Sequence, residues 1–304
     1  MHSLGQKILA IGVTVLAGML VGDADSSGHG KDTALSSIRK HDPFIELAGT
    51  SESIARANAV CLEFGTAGES RQVRKGDWKR WFPELRYSRG EEWLAIQEDS
   101  DGINVLRQHF VASRDGSPHV SMAADLAPRR TYRVSQLVKF ESEFDWGGEH
   151  NQTGKIGFGI AGGAATSGGI IDPAGFSARW IWRGDGDGGA HLALYSYAAD
   201  RSGQYGKDIK MPGGEINVGE WIGLVFEVRT NSSVSSKDGE LRAWMNGEKL
   251  VMQTGIAWQT AGEEPKVDAL TYASFYGGND ESWSPADDNF MMVADVCYFP
   301  TESL

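Results

Sequence analysis

At 304 residues, 40% of them hydrophobic and 10% aromatic, the chain is long enough to bury a sizeable core, as one large β domain or two small ones. Its net charge of −12 argues against nucleic acid or an anionic membrane as a general partner, because those surfaces attract a basic face. An anionic ligand stays compatible where basic residues gather in one groove.

Residues 1–24 have the pattern of a secretory signal peptide: Lys7 precedes an apolar stretch from Ile8 to Val21, and small and polar residues follow. The stretch is short for a membrane span, so the expectation is a secreted protein, extracellular or periplasmic, with an uncleaved anchor as the alternative. Residues 25–58 are rich in Ser, Asp, Gly and His, with one apolar island from Pro43 to Leu47, and read as a polar linker or loosely attached arm. From residue 59 to 304 no Pro/Ser/Gly linker divides the chain, so this part reads as one β domain. Cys61 and Cys297 lie near opposite ends of it; a bridge between them would join the first and last strands, and two buried free thiols are equally ordinary.

Short β-type runs follow one another: AVCLEF, EWLAIQ and INVLRQHFVAS, separated by DG, RG and GS turn clusters. Residues 69–89, dense in Arg, Lys and Trp, read as a long surface loop. In TYRVSQLVKFESEFDW, Tyr132, Val134, Leu137 or Val138, and Phe140 can share a core face after a small register change. EWIGLVFEVRT puts Ile222, Leu224, Phe226 and Val228 on one face, and Asn246-Gly247 between two strand-like runs signals a hairpin. NFMMVADVCYF is a closing strand. With 39 glycines and few long helical stretches, the fold class is all-β: a β-jelly roll, that is, a two-sheet antiparallel sandwich.

The run GFSARWIWRGDGDGGAHLALYSY is the most informative. Strand periodicity puts Phe176, Ala178, Trp180 and Trp182 on one face and Ser177, Arg179, Ile181 and Arg183 on the other. If the Gly/Asp loop closes symmetrically, Arg183 pairs with His191, Arg179 with Tyr195, and Ser177 with Tyr197. The polar faces then coincide in a patch of Arg, His, Ser and Tyr. Such a patch is a site candidate, and it is also what ordinary cross-strand pairs on a solvated sheet face look like. Upstream, TGKIGFGIAGG sets Lys155 among glycines, which leaves room for a ligand to approach the backbone.

GKIGFGIAGG, GFSARWIWR, LALYSY and FYGGNDESWSP, in that order and spacing, resemble the alginate lyases of polysaccharide lyase family 14, a jelly-roll group related in fold to the glucuronan lyases. The likeness runs from about Tyr132 to Phe299. It implies a catalytic group of a strand lysine, a Ser-x-Arg pair and a Tyr-x-Tyr pair, which match Lys155, Ser177 and Arg179, and Tyr195 and Tyr197 here. One departure is that Lys155-Ile156-Gly157 stands where the family often has Lys-Pro-Gly. The resemblance further implies a lyase acting on a uronate polymer of alginate, polymannuronate or glucuronan type.

Such a lyase removes the proton at C5 of a uronate and expels the sugar on O4. A cation must neutralise the carboxylate beside C5, which suits the planar fork of Arg179, with Ser177 or Lys155 adding a donor. A tyrosine beside Arg and Lys is expected to have a lowered pKa and to serve as base, acid or both, with Tyr197 preferred because it faces Ser177. Arg183 and His191 extend the basic groove; Tyr276 and Trp283 are expected to stack on sugar rings and Asn279 to bind hydroxyls, or else these three hold a loop against the sandwich. No metal or other cofactor is called for, and the expected partner is an anionic polysaccharide met by a monomer, with no nucleic acid and no membrane. The rival readings are a noncatalytic lectin-like module and a glycoside hydrolase using Glu141, Glu143 and Asp145 on one strand face. A calcium site at Asp287, Asp288 and Asn289 lacks EF-hand spacing.

Overall fold

Alternating apolar and polar residues dominate the chain after residue 59, and the computed structural model shows what that alternation builds. It describes residues 41–47, 49–114, 116–147, 152–165, 167–278 and 280–301; the proposed signal peptide, the arm up to residue 40 and Asn279 lie outside the described residues. The strands are β1 (Val60–Leu62), β2 (Arg71–Gln72), β3 (Leu85–Arg89), β4 (Leu94–Glu98), β5 (Asn104–Phe110), β6 (Val120–Arg129), β7 (Thr131–Phe140) and β8 (Thr153–Gly163). Then come β9 (Gly175–Gly184), β10 (Ala190–Tyr197), β11 (Lys207–Glu215), β12 (Trp221–Arg229), β13 (Gly239–Met245), β14 (Glu248–Ile256), β15 (Val267–Tyr276) and β16 (Asn289–Pro300). Helix α1 (Gly49–Asn58) precedes β1, and α2 (Lys75–Trp81) separates β2 from β3.

These strands form two antiparallel sheets packed as a sandwich of jelly-roll type. One has nine strands in the order β14-β13-β12-β7-β16-β5-β4-β2, with β1 also on β16; the other has seven, β11-β10-β9-β8-β15-β6-β3. Ile222, Leu224, Phe226 and Val228 enter the core from β12, facing Trp180, Trp182, Leu192 and Leu194 from the other sheet, and all are buried. Strand β7 keeps its alternation without a register change against β12. Val138 takes the core place, Leu137 packs on the outer face with Val105, Trp221 and Met292, and the in-line core position falls to a polar residue, Gln136. Asn246 and Gly247, with φ of 50° and 82°, close the β13–β14 hairpin in the two-residue turn that left-handed backbone requires.

Three parts differ from the sequence reading. Residues 69–89 are not one loop: they contain β2, α2 and β3, with Trp78 buried against Phe82 and Tyr272. Strand β7 stops at Phe140, so Glu141, Glu143 and Asp145 do not line a strand face; Glu141 pairs with Arg107 at 2.6 Å, and the Asp145 carboxylate accepts the Gly147 and Ala286 N–H groups. The paired carboxylates of the hydrolase reading are therefore absent at that place. Finally, residues 41–47 and α1 dock on the outer face of the larger sheet, where the buried Arg133 donates to the Ile45 carbonyl at 2.6 Å and pairs with Glu227, and Phe44 stacks on Phe299.

Cys61 and Cys297 sit opposite each other in the β1–β16 pairing and are joined as a disulfide. The bridge spans a sequence separation of 236 and so restricts most of the unfolded domain. The Cys61→Ser/Cys297→Ser protein should be less stable by about 2–4 kcal/mol in urea unfolding, and reductant should lower the midpoint of the native chain but not of the variant.

Candidate active site

The outward face of the seven-stranded sheet carries the chemistry. Strands β9 and β10 pair in the expected register: Arg183 opposite His191, Arg179 opposite Tyr195, and Ser177 opposite Tyr197. Trp180, Trp182, Leu192 and Leu194 are buried on the reverse face, so strand parity leaves Ser177, Arg179, Tyr195 and Tyr197 together on the outward one. Arg179 donates from Nη2 to Ser177 Oγ at 2.7 Å, and its Nε is enclosed without a hydrogen-bond partner among the described residues. The titratable groups near enough to act on Arg179 are Tyr197, Tyr87 and Tyr195, and no acid is among them.

Lys155 reaches this group through a bulge. Strand β8 pairs Ile156 with Trp180 and Gly159 with Arg179, so two extra residues lie on β8 between those pairs. An insertion of two preserves which face each side chain occupies. Without it Lys155 would oppose Arg183; with it Lys155 opposes Ile181, one pleat repeat or about 6.6 Å nearer to Arg179 along β9. The bulge turns at Gly157, φ 60°, where an added Cβ would lie 2.3 Å from Gln136 Oε1. Gln136, reaching across the core from β7, accepts the Phe158 N–H at 2.9 Å and so satisfies a backbone group that the bulge takes out of the ladder. The Lys155 ammonium lies 4.8 Å from the centre of the Phe275 ring and forms no ion pair among the described residues. Burial, reinforced by the charges of Arg179 and Arg183, lowers its pKa to about 8.

The two tyrosines pack edge to face, 5.1 Å between ring centres, with their hydroxyls 3.5 Å apart. Tyr195 Oη accepts the Gly206 N–H at 3.0 Å, and the Arg201 guanidinium lies over the Tyr197 ring at 5.1 Å. The expected lowering is not found at Tyr195. Burial, with Tyr197 beside it, pushes that phenol well above its usual range, because taking a phenolate out of water outweighs the Gly206 N–H bond and the charge of Arg183.

The outer ring of expected residues divides. Arg183 is held by Asp208 through two bonds, 2.7 and 2.8 Å, so its charge is neutralised across β10. His191 lies beside it with an enclosed Nε2 that has no hydrogen-bond partner among the described residues. Tyr276 is fully buried among Phe110, Phe144 and Trp182 and donates to the Asp145 carbonyl, so it packs the core and presents no face to a ligand. Trp283 is half-buried over Gly277 and Gly278, at the Lys155 end of the groove. Asn289 spends its amide on Asp287 and Asp145, and Asp288 faces His109. Sequence reasoning did not include Tyr87, which β3 brings to the far side of the same face.

A two-sheet sandwich whose one sheet face sets Arg179 and Lys155, without carboxylate partners among the described residues, beside a tyrosine pair offers a surface suited to an anionic ligand. The chain belongs to the polysaccharide lyase 14 family, whose model matches residues 108–296, and is a polysaccharide lyase. Among solved structures, a variant of alginate lyase Aly36B in complex with alginate tetrasaccharide shares the fold at a TM-score of 0.69 and 22% identity, over 80% of this chain and 97% of that one. The PL-14 alginate lyase from Aplysia kurodai aligns at 0.62 and 17% identity over 78% of this chain and 100% of its own. An alginate lyase from Chlorella virus aligns at 0.59 and 16%, over 77% and 100%. No curated protein matches.

Holding Lys155 charged against a pKa of about 8, when its ordinary value is 10.5, opposes folding below pH 8. The unfolded chain binds the proton more tightly, so this opposition fades as pH rises from 8 to 10.5. Lys155→Met should therefore raise stability at pH 7 by roughly 1–3 kcal/mol while abolishing most activity, and the difference from the native chain should shrink across that window in urea unfolding at stepped pH.

Proposed function

We propose that the enzyme cleaves a uronate polymer of alginate, polymannuronate or glucuronan type by β-elimination at this sheet face. The observation that carries the proposal is Arg179: enclosed, tied to Ser177 at 2.7 Å and lacking an acidic partner among the described residues. The fully buried Arg133 and the partly buried Arg183 each have a carboxylate. A buried guanidinium without one is costly unless a ligand supplies it, and the carboxylate of a uronate fits its fork.

With that carboxylate neutralised by Arg179 and Lys155, C5 becomes acidic enough to yield its proton, and the enolate-like charge is met by donors already in place. Tyr197, opposite Ser177 on the strand pair, first gives up its own hydroxyl proton to solvent and as phenolate takes the C5 proton. The electron pair forms the C4–C5 double bond, the C4–O bond breaks, and the leaving oxygen gains a proton. Tyr195 suits that last step: burial keeps its phenol protonated, and its oxygen already accepts from Gly206, so its own hydrogen is available to the groove. The family match and the likeness in order of Lys155, Ser177-x-Arg179 and Tyr195-x-Tyr197 to the family pattern support these roles. We extend the proposal to a secreted monomer; the disulfide supports an oxidising compartment, where such bonds persist.

A panel of uronate polymers followed by ultraviolet absorbance tests the reading, since elimination creates a conjugated uronate. Tyr197→Phe should lower kcat by about 10²–10⁴-fold while polymer binding in affinity electrophoresis is kept, and Arg179→Lys should cost about 10²-fold or more. Binding without any absorbance gain by the native protein would favour the lectin reading instead, and no signal on any polymer would sink the lyase assignment to uronates.

A further inference from the structure

The sheet face extends well beyond the catalytic group. At the level of Arg179 the residues that follow across the sheet are Gly159 on β8, Thr271 on β15, Ala123 on β6 and Tyr87 on β3. Three small residues thus lie between Arg179 and an aromatic residue on the edge strand, the backbones of β9 and β3 standing about 19 Å apart for four steps of about 4.8 Å between neighbouring strands. Tyr87 is 51% exposed and near enough to Arg179 to act on its charge.

Two residues along β3, with the same parity, stands Arg89. Its Nε donates to Ser121 Oγ on β6 at 2.7 Å, so the side chain lies across its neighbour strand, toward those small residues. Arg89 forms no ion pair among the described residues, whereas Arg86 on the same strand is paired with Asp125 at 2.5 Å. Next to β3, helix α2 carries Lys75, Lys79 and Arg80, all exposed. Between residues 71 and 89 the chain has seven Lys or Arg and two acids, in a protein of net charge −12. Basic residues therefore outnumber acidic ones in this segment, at the β3 edge. This edge precedes residues 108–296, the part that matches the family model.

We propose that the β3 edge is a second uronate-binding subsite that prolongs the catalytic groove: Tyr87 stacks on a sugar ring, and Arg89 pairs with the carboxylate of a unit several residues from the scissile bond. The α2 cations add a field that draws the polyanion along this direction. The inference rests on the uronate-lyase reading and adds to it a length preference, because only a chain long enough to reach from Arg179 to β3 gains the extra contacts. The ligand chemistry is that of a repeating carboxylate on a pyranose ring; a polyanion without sugar faces would use Arg89 and leave Tyr87 idle.

The test uses the full chain with Tyr87→Ala, Tyr87→Trp and Arg89→Gln, each checked for native melting, on defined uronate oligosaccharides of increasing length and on polymer. Tyr87→Ala and Arg89→Gln should raise KM for polymer and long oligosaccharides on the order of tenfold and flatten the gain in kcat/KM with length. Tyr87→Trp should restore the gain, and Arg89→Gln should weaken the salt dependence of KM. Polymer binding to the same variants carrying Tyr197→Phe gives a readout separate from turnover and should fall in parallel. A native enzyme that cleaves the polymer while both variants match it at every length overturns the subsite and leaves the lyase reading standing. A native protein that neither binds nor cleaves any uronate polymer overturns both.

Discussion

The pairing of β9 with β10, with Arg179 opposite Tyr195, is the contact on which the site depends. Side chains alternate with period two, so a slip of one residue would turn Trp180, Trp182, Leu192 and Leu194 to water and push Arg179 and the tyrosines into the core. Burial of each indole contributes roughly 4–6 kcal/mol at the usual area coefficient, an upper estimate that still far exceeds any single polar contact in the site. The aromatic face thus holds the register, and the catalytic face is carried with it.

That surplus also explains how the fold tolerates unpaired cations. Several other partly or fully buried cations are matched: Arg133 with Glu227, Arg107 with Glu141, Arg183 with Asp208. Matching Arg183 within the groove leaves Arg179 and Lys155 as the cations that lack a carboxylate at its centre. The net negative charge of the molecule and its cationic groove are therefore compatible, because the uncompensated charge of Arg179 and Lys155 acts locally.

The two sheets are coupled at the bulge. Gln136 belongs to the larger sheet and would be an anomaly among Val134, Val138 and Phe140 if judged by packing alone. Its partner across the core, the Phe158 N–H, accounts for it, and Gly157 is required because any Cβ would strike the same amide. Through that one hydrogen bond a core residue of one sheet stabilises the backbone path that brings Lys155 beside Arg179. A proline in place of Ile156, as in the family pattern, would stiffen the entry to this turn; here the glutamine and the glycine shape it.

Much of this was legible from residue order. Alternation in GFSARWIWR and LALYSY, with a symmetric Gly/Asp turn between them, determined which side chains share a face and which are opposite, because a hairpin is a local structure and its period does not depend on the rest of the chain. The disulfide, the nearness of Lys155, the packed fate of Tyr276 and the raised pKa of Tyr195 were decided by tertiary structure. Each depends on what a distant segment places alongside: β16 beside β1, Gln136 beneath the bulge, Phe110 and Phe144 around the Tyr276 ring, and Tyr197 and Gly206 around the Tyr195 hydroxyl. Tyr87 belongs to the same class, since it reaches the groove only through the pairing of β3 with β6. Strand parity is written into the chain one residue at a time, whereas burial and charge environment are properties of the neighbours that folding supplies.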